Sequence, residues 1–154
     1  DVVIEDSYRG KPVVSIGKSA FSRSRDITGI TIGKNVTNIG ENAFAGCEGI
    51  YQVFIPGSVK EIGAFAFSLC NSLNGVLMEK GIKKISSGTF SQCKNLNIIE
   101  IPEGVKKIDR SAFWNCSNLQ YVSLPSSLEH IASSAFDGCP CDSLITQNMH
   151  AITY

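Results

Sequence analysis

Residues 96–116 read LNIIEIPEGVKKIDRSAFWNC, and the same order of residue types recurs along the chain. The recurrence is strictest at one phenylalanine, which returns every 23 residues as Phe21, Phe44, Phe67, Phe90, Phe113 and Phe136. A fixed period of roughly 20 to 50 residues is typical of repeat proteins, in which each unit packs mainly on its neighbours. The sequence therefore predicts a solenoid of about six rungs of 23 residues.

Six further positions of each repeat are hydrophobic in the same register. Numbered from the phenylalanine they are +3, +6, +9, +11, +15 and +18, which in the fourth repeat are Cys93, Leu96, Ile99, Ile101, Val105 and Ile108. Seven such columns in five complete repeats give 35 sites, of which 34 are hydrophobic and only Ser24 is not. These columns are predicted to form the core.

Positions +9 and +11 have the spacing of a strand with one buried face. Segments such as Val53-Phe54-Ile55 carry the β-branched and aromatic residues that suit a strand. Because a unit this short cannot bury its apolar side alone, strands of successive repeats are expected to pair in parallel, about 4.8 Å apart. The other half of each repeat, such as residues 105–108, fits either a short strand or a short helical turn.

The phrase from Leu96 to Cys116, with Ala112-Phe113 and Cys116 in register, resembles the BspA-like or Treponema pallidum type of leucine-rich repeat. The resemblance extends over roughly residues 11–139. It implies a right-handed leucine-rich-repeat solenoid, with a parallel β-sheet on one face and short strands or helical turns on the other. It divides the chain into an entry segment with a partial repeat at 1–20, repeats at 21–139, and a degenerate repeat or cap at 140–154. Val2 and Ile4 are expected to form a first strand.

Proteins of this type are commonly surface or secreted proteins of host-associated bacteria and of some parasitic protists. The resemblance therefore implies an extracellular or cell-surface binding module without catalytic activity. Adhesion to a protein, with host matrix proteins as candidate partners, is the first functional expectation. Glycan binding by exposed aromatic residues is the alternative, because this family constrains fold far more than function.

Charge and hydropathy exclude other classes of partner. The 14 basic and 14 acidic residues cancel, so no overall field would attract nucleic acid or an anionic membrane. The apolar runs are far shorter than the roughly 20 residues that span a bilayer, and no charged-then-apolar leader is present. We therefore expect neither nucleic-acid binding nor membrane insertion, whereas the oligomeric state stays open.

The cysteines invite a disulfide or metal interpretation, which their spacing argues against. Five of them lie one repeat apart in a single column, as Cys47, Cys70, Cys93, Cys116 and Cys139. Side chains of one column point the same way, so we expect packed, unpaired thiols. Cys141 and His150 lack the paired spacing of a zinc site, and no nucleophile elbow or phosphate loop occurs. No metal, cofactor or catalytic residue is predicted.

Positions +7, +8 and +10 face outward from the predicted sheet, where the repeat makes no demand for core residues. Large apolar side chains nevertheless cluster there, as Tyr51, Phe54, Leu77, Ile98 and Tyr121. Exposed aromatic clusters are where binding energy concentrates, so these five residues are the predicted partner-binding site. The alternative is that the chain's own termini or an oligomer neighbour covers some of them, and exposed apolar residues are common on any protein.

A second candidate surface is a stripe of lysines at positions +16 and +17. Its members are Lys60, Lys83, Lys84, Lys106 and Lys107, interrupted by Glu61 and Glu129. Such a stripe would bind a sulfated glycan or an acidic partner. The more common role of lysines at this place is to keep the returning edge soluble.

Overall fold

The computed structural model describes residues 1–140 and the backbone of one further strand, Leu144–Ile145. It contains β1 (Val2–Ile4), β2 (Ser7–Tyr8), β3 (Lys11–Pro12), β4 (Ser15–Ile16), β5 (Gly29–Ile32), β6 (Asn38–Ile39), β7 (Gln52–Ile55), β8 (Glu61–Ile62), β9 (Gly75–Met78), β10 (Lys84–Ile85), β11 (Ile98–Glu100), β12 (Lys107–Ile108), β13 (Tyr121–Ser123), β14 (His130–Ile131) and β15 (Leu144–Ile145). Successive repeats lie side by side with the predicted period. The leucine-rich-repeat solenoid is thereby confirmed.

The main sheet is built from the strand at positions +8 to +11 of each repeat. Its strands are parallel and hydrogen-bonded in the orders β1-β5-β7-β9 and β11-β13-β15. Strands β9 and β11 lie next to each other but belong to different hydrogen-bonded sheets. The single sheet expected from the sequence is therefore divided between the third and fourth repeats. Strand β1 confirms the expectation for Val2 and Ile4.

The second half of each repeat forms a two-residue strand, which decides between the two alternatives in favour of strands. These strands make two parallel sheets, β4-β6-β8 and β10-β12-β14. The residue after the strand is Gly17, Gly40 or Gly63 in the first sheet and Ser86, Asp109 or Ala132 in the second. A Cβ at Gly63 would lie 2.4 Å from the backbone nitrogen of Glu41. The glycine repeats thus pack more closely than a side chain permits, and the sheet is interrupted where side chains begin.

Ser86 bridges this interruption with its side chain. The Gly63 amide donates to the Ile39 carbonyl oxygen at 2.8 Å, and the Asp109 amide donates to the Ile85 carbonyl oxygen at 2.9 Å. At the interruption the Ser86 hydroxyl donates to the Ile62 carbonyl oxygen instead, at 2.6 Å. The hydroxyl satisfies a buried carbonyl group that would otherwise lose a partner.

The third side of the solenoid is a row of turns around the recurring phenylalanine. The six rings stack in sequence with centroids between 5.0 and 5.7 Å apart and planes within 15° of parallel. The amides of Phe21, Phe44, Phe67, Phe90 and Phe113 each donate to a carbonyl oxygen of the next repeat, for example Phe90 to Ala112 at 2.8 Å, and these bonds hold the rings in register. Residues two before and two after most of the phenylalanines have positive φ, for example Ser19 at 55° and Arg23 at 62°. The chain therefore turns sharply twice in each repeat.

The predicted core columns are confirmed. In the five complete repeats every side chain of the seven columns is buried or half-buried, and the half-buried ones are Phe21, Ser24, Ile30, Val76 and Leu124. At the N-terminal end, Asp6 secures the entry segment by accepting a bond from the Lys34 amide at 2.8 Å. Between β2 and β3 the chain reverses through Arg9 and Gly10, whose φ values of 49° and 76° are those of a type I′ turn.

The cysteine column has a structural role that explains its spacing. Each thiol donates to the carbonyl oxygen of the phenylalanine in the preceding repeat, at 3.0 to 3.3 Å. Cys47, Cys70, Cys93 and Cys116 are packed in the core, as expected, and they form no disulfide with another described residue. Burial raises the pKa of Cys93 well above its ordinary value, and it raises the pKa of Cys47 as well. Cys141 and His150 lie outside the described residues.

Thiol labelling should therefore distinguish the ends of this column. In a Cys141→Ser background, we expect Cys70, Cys93 and Cys116 to react with a thiol reagent only on unfolding, because their side chains are fully buried and a reagent cannot reach them in the folded protein. The half-buried Cys139 should react first. Peptide mapping after timed labelling measures this order, and rapid native labelling of Cys93 would contradict it.

Candidate functional site

The structure places Phe54, Leu77, Ile98 and Tyr121 on the solvent side of the main sheet, and it places Tyr51, also exposed, directly before strand β7. Their exposed fractions are 56% for Tyr51, 42% for Phe54, 62% for Leu77, 57% for Ile98 and 56% for Tyr121. Side chains of a strand alternate between its faces, so the neighbours Val53, Val76, Ile99 and Val122 point inward to the core. The alternation of side chains along the strands therefore explains why the four residues that lie in strands are exposed.

Three of these five residues line one open groove on the sheet. Phe54, Leu77 and Ile98 surround a volume of about 570 Å³, together with Gln52 and Glu100. Phe54 is paired with Leu77 in the β7–β9 ladder, which sets their side chains beside each other. Tyr51 and Tyr121 do not line the groove, although Tyr121 is paired with Ile98 across the β11–β13 ladder.

Gly75 explains why a groove exists at this place. It occupies position +8 between Gln52 and Ile98, so strand β9 has no side chain at this outward-facing position. The groove consequently reaches the backbone of β9 and the half-buried Val76. A Cβ at Gly75 would meet only the Gln52 side chain, at 3.8 Å, so packing does not require glycine here. Gly75 was not predicted from the sequence, although a glycine in an outward-facing strand column is a signal that points to it.

An acidic rim, defined as Glu79, Glu100 and Glu103, adjoins the groove. These residues line a second open volume of about 510 Å³ with Lys80, and both volumes share Leu77 and Glu100. Glu79 accepts a bond from the Gly57 amide at 2.7 Å. The Ser126 amide donates to Glu103 at 2.8 Å, and this bond lowers the pKa of the Glu103 carboxyl. The acidic rim was not predicted from the sequence either, because its three residues come together only through the turns after β9 and β11.

The lysine stripe lies along the two-residue strands of the repeats, where acidic side chains lie close to three of its five lysines. Lys106 pairs with Glu129 at 2.7 Å, and Lys107 pairs with Asp109 at 2.9 Å. Lys84 lies 4.0 Å from the same Asp109 carboxylate. The remaining members are Lys60, which donates to the Gly57 carbonyl oxygen at 2.6 Å, and Lys83. These pairs reduce the positive potential that the stripe presents to an anionic partner.

A third apolar surface on the turn side was not anticipated. Phe65, Leu69 and Trp114 are each about two-fifths exposed. Phe65 and Leu69 occupy positions with φ of 57° and 60°, where bulky residues are uncommon. The Phe65 ring lies over Gly88, since a Cβ there would be 2.2 Å from a ring carbon. Their signal in the sequence was an apolar residue in columns otherwise filled by small or polar residues.

The profile of the BspA type leucine rich repeat region matches residues 14–144 in six copies. The chain belongs to this family. Comparison with curated protein sequences gives no match.

Solved structures share the BspA-type fold. A leucine rich repeat protein of Treponema pallidum is 32% identical with a TM-score of 0.87, over 90% of this chain and 64% of that one. A leucine-rich repeat protein of Eubacterium ventriosum is 22% identical with a TM-score of 0.74, over 94% of this chain and 48% of that one. The pneumococcal vaccine antigen PcpA is 26% identical with a TM-score of 0.52, over 83% of this chain and 40% of that one. The BspA-type chain thus spans about half to two thirds of the first two.

Membership of this family indicates a protein-binding module, since leucine-rich repeats typically present extended binding surfaces instead of catalytic centres. Over the residues whose placement is described, no group of three or more histidine, cysteine, aspartate or glutamate side chains could hold a metal ion. His130 is half-buried on β14. Among the same residues, no helix is long and apolar enough to cross a membrane.

Proposed function

We propose that this BspA-type chain binds a protein partner on the face of its main sheet, through Tyr51, Phe54, Leu77, Ile98 and Tyr121. The observation that carries the proposal is the exposure of five large apolar side chains on adjacent rungs, three of them around one groove. A soluble surface gains nothing from such a cluster, whereas aromatic residues near the centre of an interface contribute much of its binding energy. The repeats on either side act as a rigid support.

The proposed setting is the cell surface or the extracellular space, where the module adheres to another protein such as a host matrix protein. Family membership supports this setting, and so does the similarity to PcpA, which is described as a vaccine antigen. A separate structural relative from Faecalibacterium prausnitzii is described as a leucine rich cell surface protein. The lysine stripe is the second candidate surface, for an acidic partner or a sulfated glycan. It is ranked below the sheet face because its ion pairs reduce its positive potential.

The test compares two triple variants, each of which removes three large exposed side chains. Tyr51, Phe54 and Tyr121 are replaced by serine on the sheet face, and Phe65, Leu69 and Trp114 are replaced by serine on the turn side as the control. Binding of each protein to purified collagen, fibronectin, laminin and fibrinogen is measured by biolayer interferometry, and binding to sugars by a glycan array. We expect the sheet-face variant to lose about tenfold or more in affinity for a matrix protein, because hot-spot residues each contribute over about 1 kcal/mol.

The control should bind like the wild type. Loss of a glycan signal in the sheet-face variant, without matrix-protein binding by the wild type, would replace the protein partner with a sugar that stacks on the tyrosines. Equal binding by the wild type and the sheet-face variant in both assays would exclude the sheet face as the site.

A further inference from the structure

The groove and the acidic rim together indicate the chemistry of the partner. Resting on the proposed function of the sheet face, we infer that the partner is a protein segment carrying an apolar side chain close to a lysine or arginine. The apolar side chain occupies the notch at Gly75 between Phe54, Leu77 and Ile98. The basic side chain lies against Glu79, Glu100 and Glu103.

Continuity of the two volumes is the first argument. Leu77 and Glu100 line both the groove and the space at the rim, so one partner segment can occupy both at once. The walls also change in character along the strand direction. Apolar side chains dominate around Gly75, and carboxylates follow where β9 and β11 end. A segment that crosses from one part to the other meets an apolar environment and then a negative one.

Charge complementarity is the second argument. Three glutamates and one lysine, Lys80, line the rim, and the Lys83 ammonium group lies near Gly104. These described residues leave an excess of negative charge at the rim. The Gly57 amide of the preceding repeat holds the Glu79 carboxylate, and the Ser126 amide of the following repeat holds the Glu103 carboxylate, so both negative charges have fixed positions. Glu100 forms no ion pair within the part of the chain that the structure describes. Carboxylates bind guanidinium and ammonium groups and repel sulfate, which disfavours a sulfated glycan here.

Position along the strands sets the spacing of the two partner groups. Gly75 is at +8 of its repeat, whereas Glu100 and Glu103 are at +10 and +13 of the next one. An extended segment advances about 3.3 Å per residue, so a partner running along the strands would place its basic residue about two to five positions from its apolar one. The groove therefore predicts a short apolar-then-basic pattern in what it binds.

A random peptide library displayed on phage, selected on the immobilised full chain, tests this inference. We expect the selected peptides to be enriched in an apolar residue separated from lysine or arginine by about two to five positions. Synthetic versions of the best peptides are then measured against Gly75→Leu, which fills the notch, and Glu100→Lys, which reverses one charge of the rim. Glu5→Lys is the matched control, because Glu5 is exposed and lines neither volume.

Both groove variants should weaken binding by about tenfold or more. Glu100→Lys removes a charge partner at the interface, and Gly75→Leu occupies the space of the partner's apolar side chain. Glu5→Lys should change the affinity by less than about twofold, as expected of a distant, screened charge. Binding that is lost in Gly75→Leu but unchanged in Glu100→Lys would keep the sheet face as the site and overturn the basic partner residue. A library with no peptide sensitive to Gly75→Leu or to the sheet-face triple variant would overturn both.

Discussion

Replacement of Phe90 by alanine is expected to lower the free energy of unfolding by about 3–5 kcal/mol, the range for removing a buried aromatic ring. Phe90 is fully buried in the middle of the stack, 5.7 Å from the Phe67 ring and 5.5 Å from the Phe113 ring. Its loss leaves a cavity between two repeats and removes ring contacts on both sides. Because each repeat packs chiefly on its neighbours, the defect weakens the junction on which the cooperativity of the solenoid depends. Urea denaturation followed by circular dichroism measures the change.

Two other phenylalanines provide the controls. Phe21 ends the stack, is half-buried and has one ring neighbour, at 5.2 Å, so its replacement by alanine should cost less. Phe54 is 42% exposed on the sheet face, and its replacement should change stability by less than about 1 kcal/mol. Equal losses for Phe90 and Phe54 would show that the stack contributes no more than an exposed ring does.

The contrast among these phenylalanines also shows what the sequence could predict. A residue repeated at constant spacing must occupy equivalent places in every rung, so Phe21, Phe90 and their counterparts identified the core directly. The same logic assigned the cysteines to a buried column and Tyr51 or Ile98 to the outer face. Columns encode burial because the solenoid repeats one environment in each turn.

Features that depend on a difference between neighbouring repeats were not predicted. The groove exists because Gly75 breaks a column, and the rim exists because turns from different repeats bring Glu79 and Glu103 together. The interruption between β8 and β10 has the same origin, because the residue after the two-residue strand changes there from Gly63 to Ser86. Each is a departure from periodicity, and its consequence depends on the packing of two repeats that only the structure supplies.

Replacement of Gly63 by alanine is expected to destabilise the protein by about 2–3 kcal/mol, as overpacking against a rigid neighbour does. The new Cβ would lie 2.4 Å from the Glu41 nitrogen and 2.7 Å from the Gly40 carbonyl carbon, both backbone atoms that no side-chain rotation can move. Relief requires the second and first repeats to separate at β8 and β6. That separation would weaken the bond from the residue-63 amide to the Ile39 carbonyl oxygen, now 2.8 Å long. Thermal unfolding and amide hydrogen exchange at residue 63 measure the two effects.

Gly75→Ala is the matched control, because it adds the same methyl group to a strand glycine with open space around it. Its Cβ meets only a flexible Gln52 side chain at 3.8 Å, so the variant should be as stable as the wild type or gain up to about 1 kcal/mol from the loss of glycine flexibility in the unfolded chain. The existing interruption at Ser86, between β8 and β10, indicates how the Gly63 variant would adapt. The interruption would move back by one repeat and lie between β6 and β8. Faster exchange at residue 63, with unchanged protection at Asp109, would be the signature of that move. Wild-type stability and unchanged exchange in Gly63→Ala would instead refute close packing as the cause of the interruption.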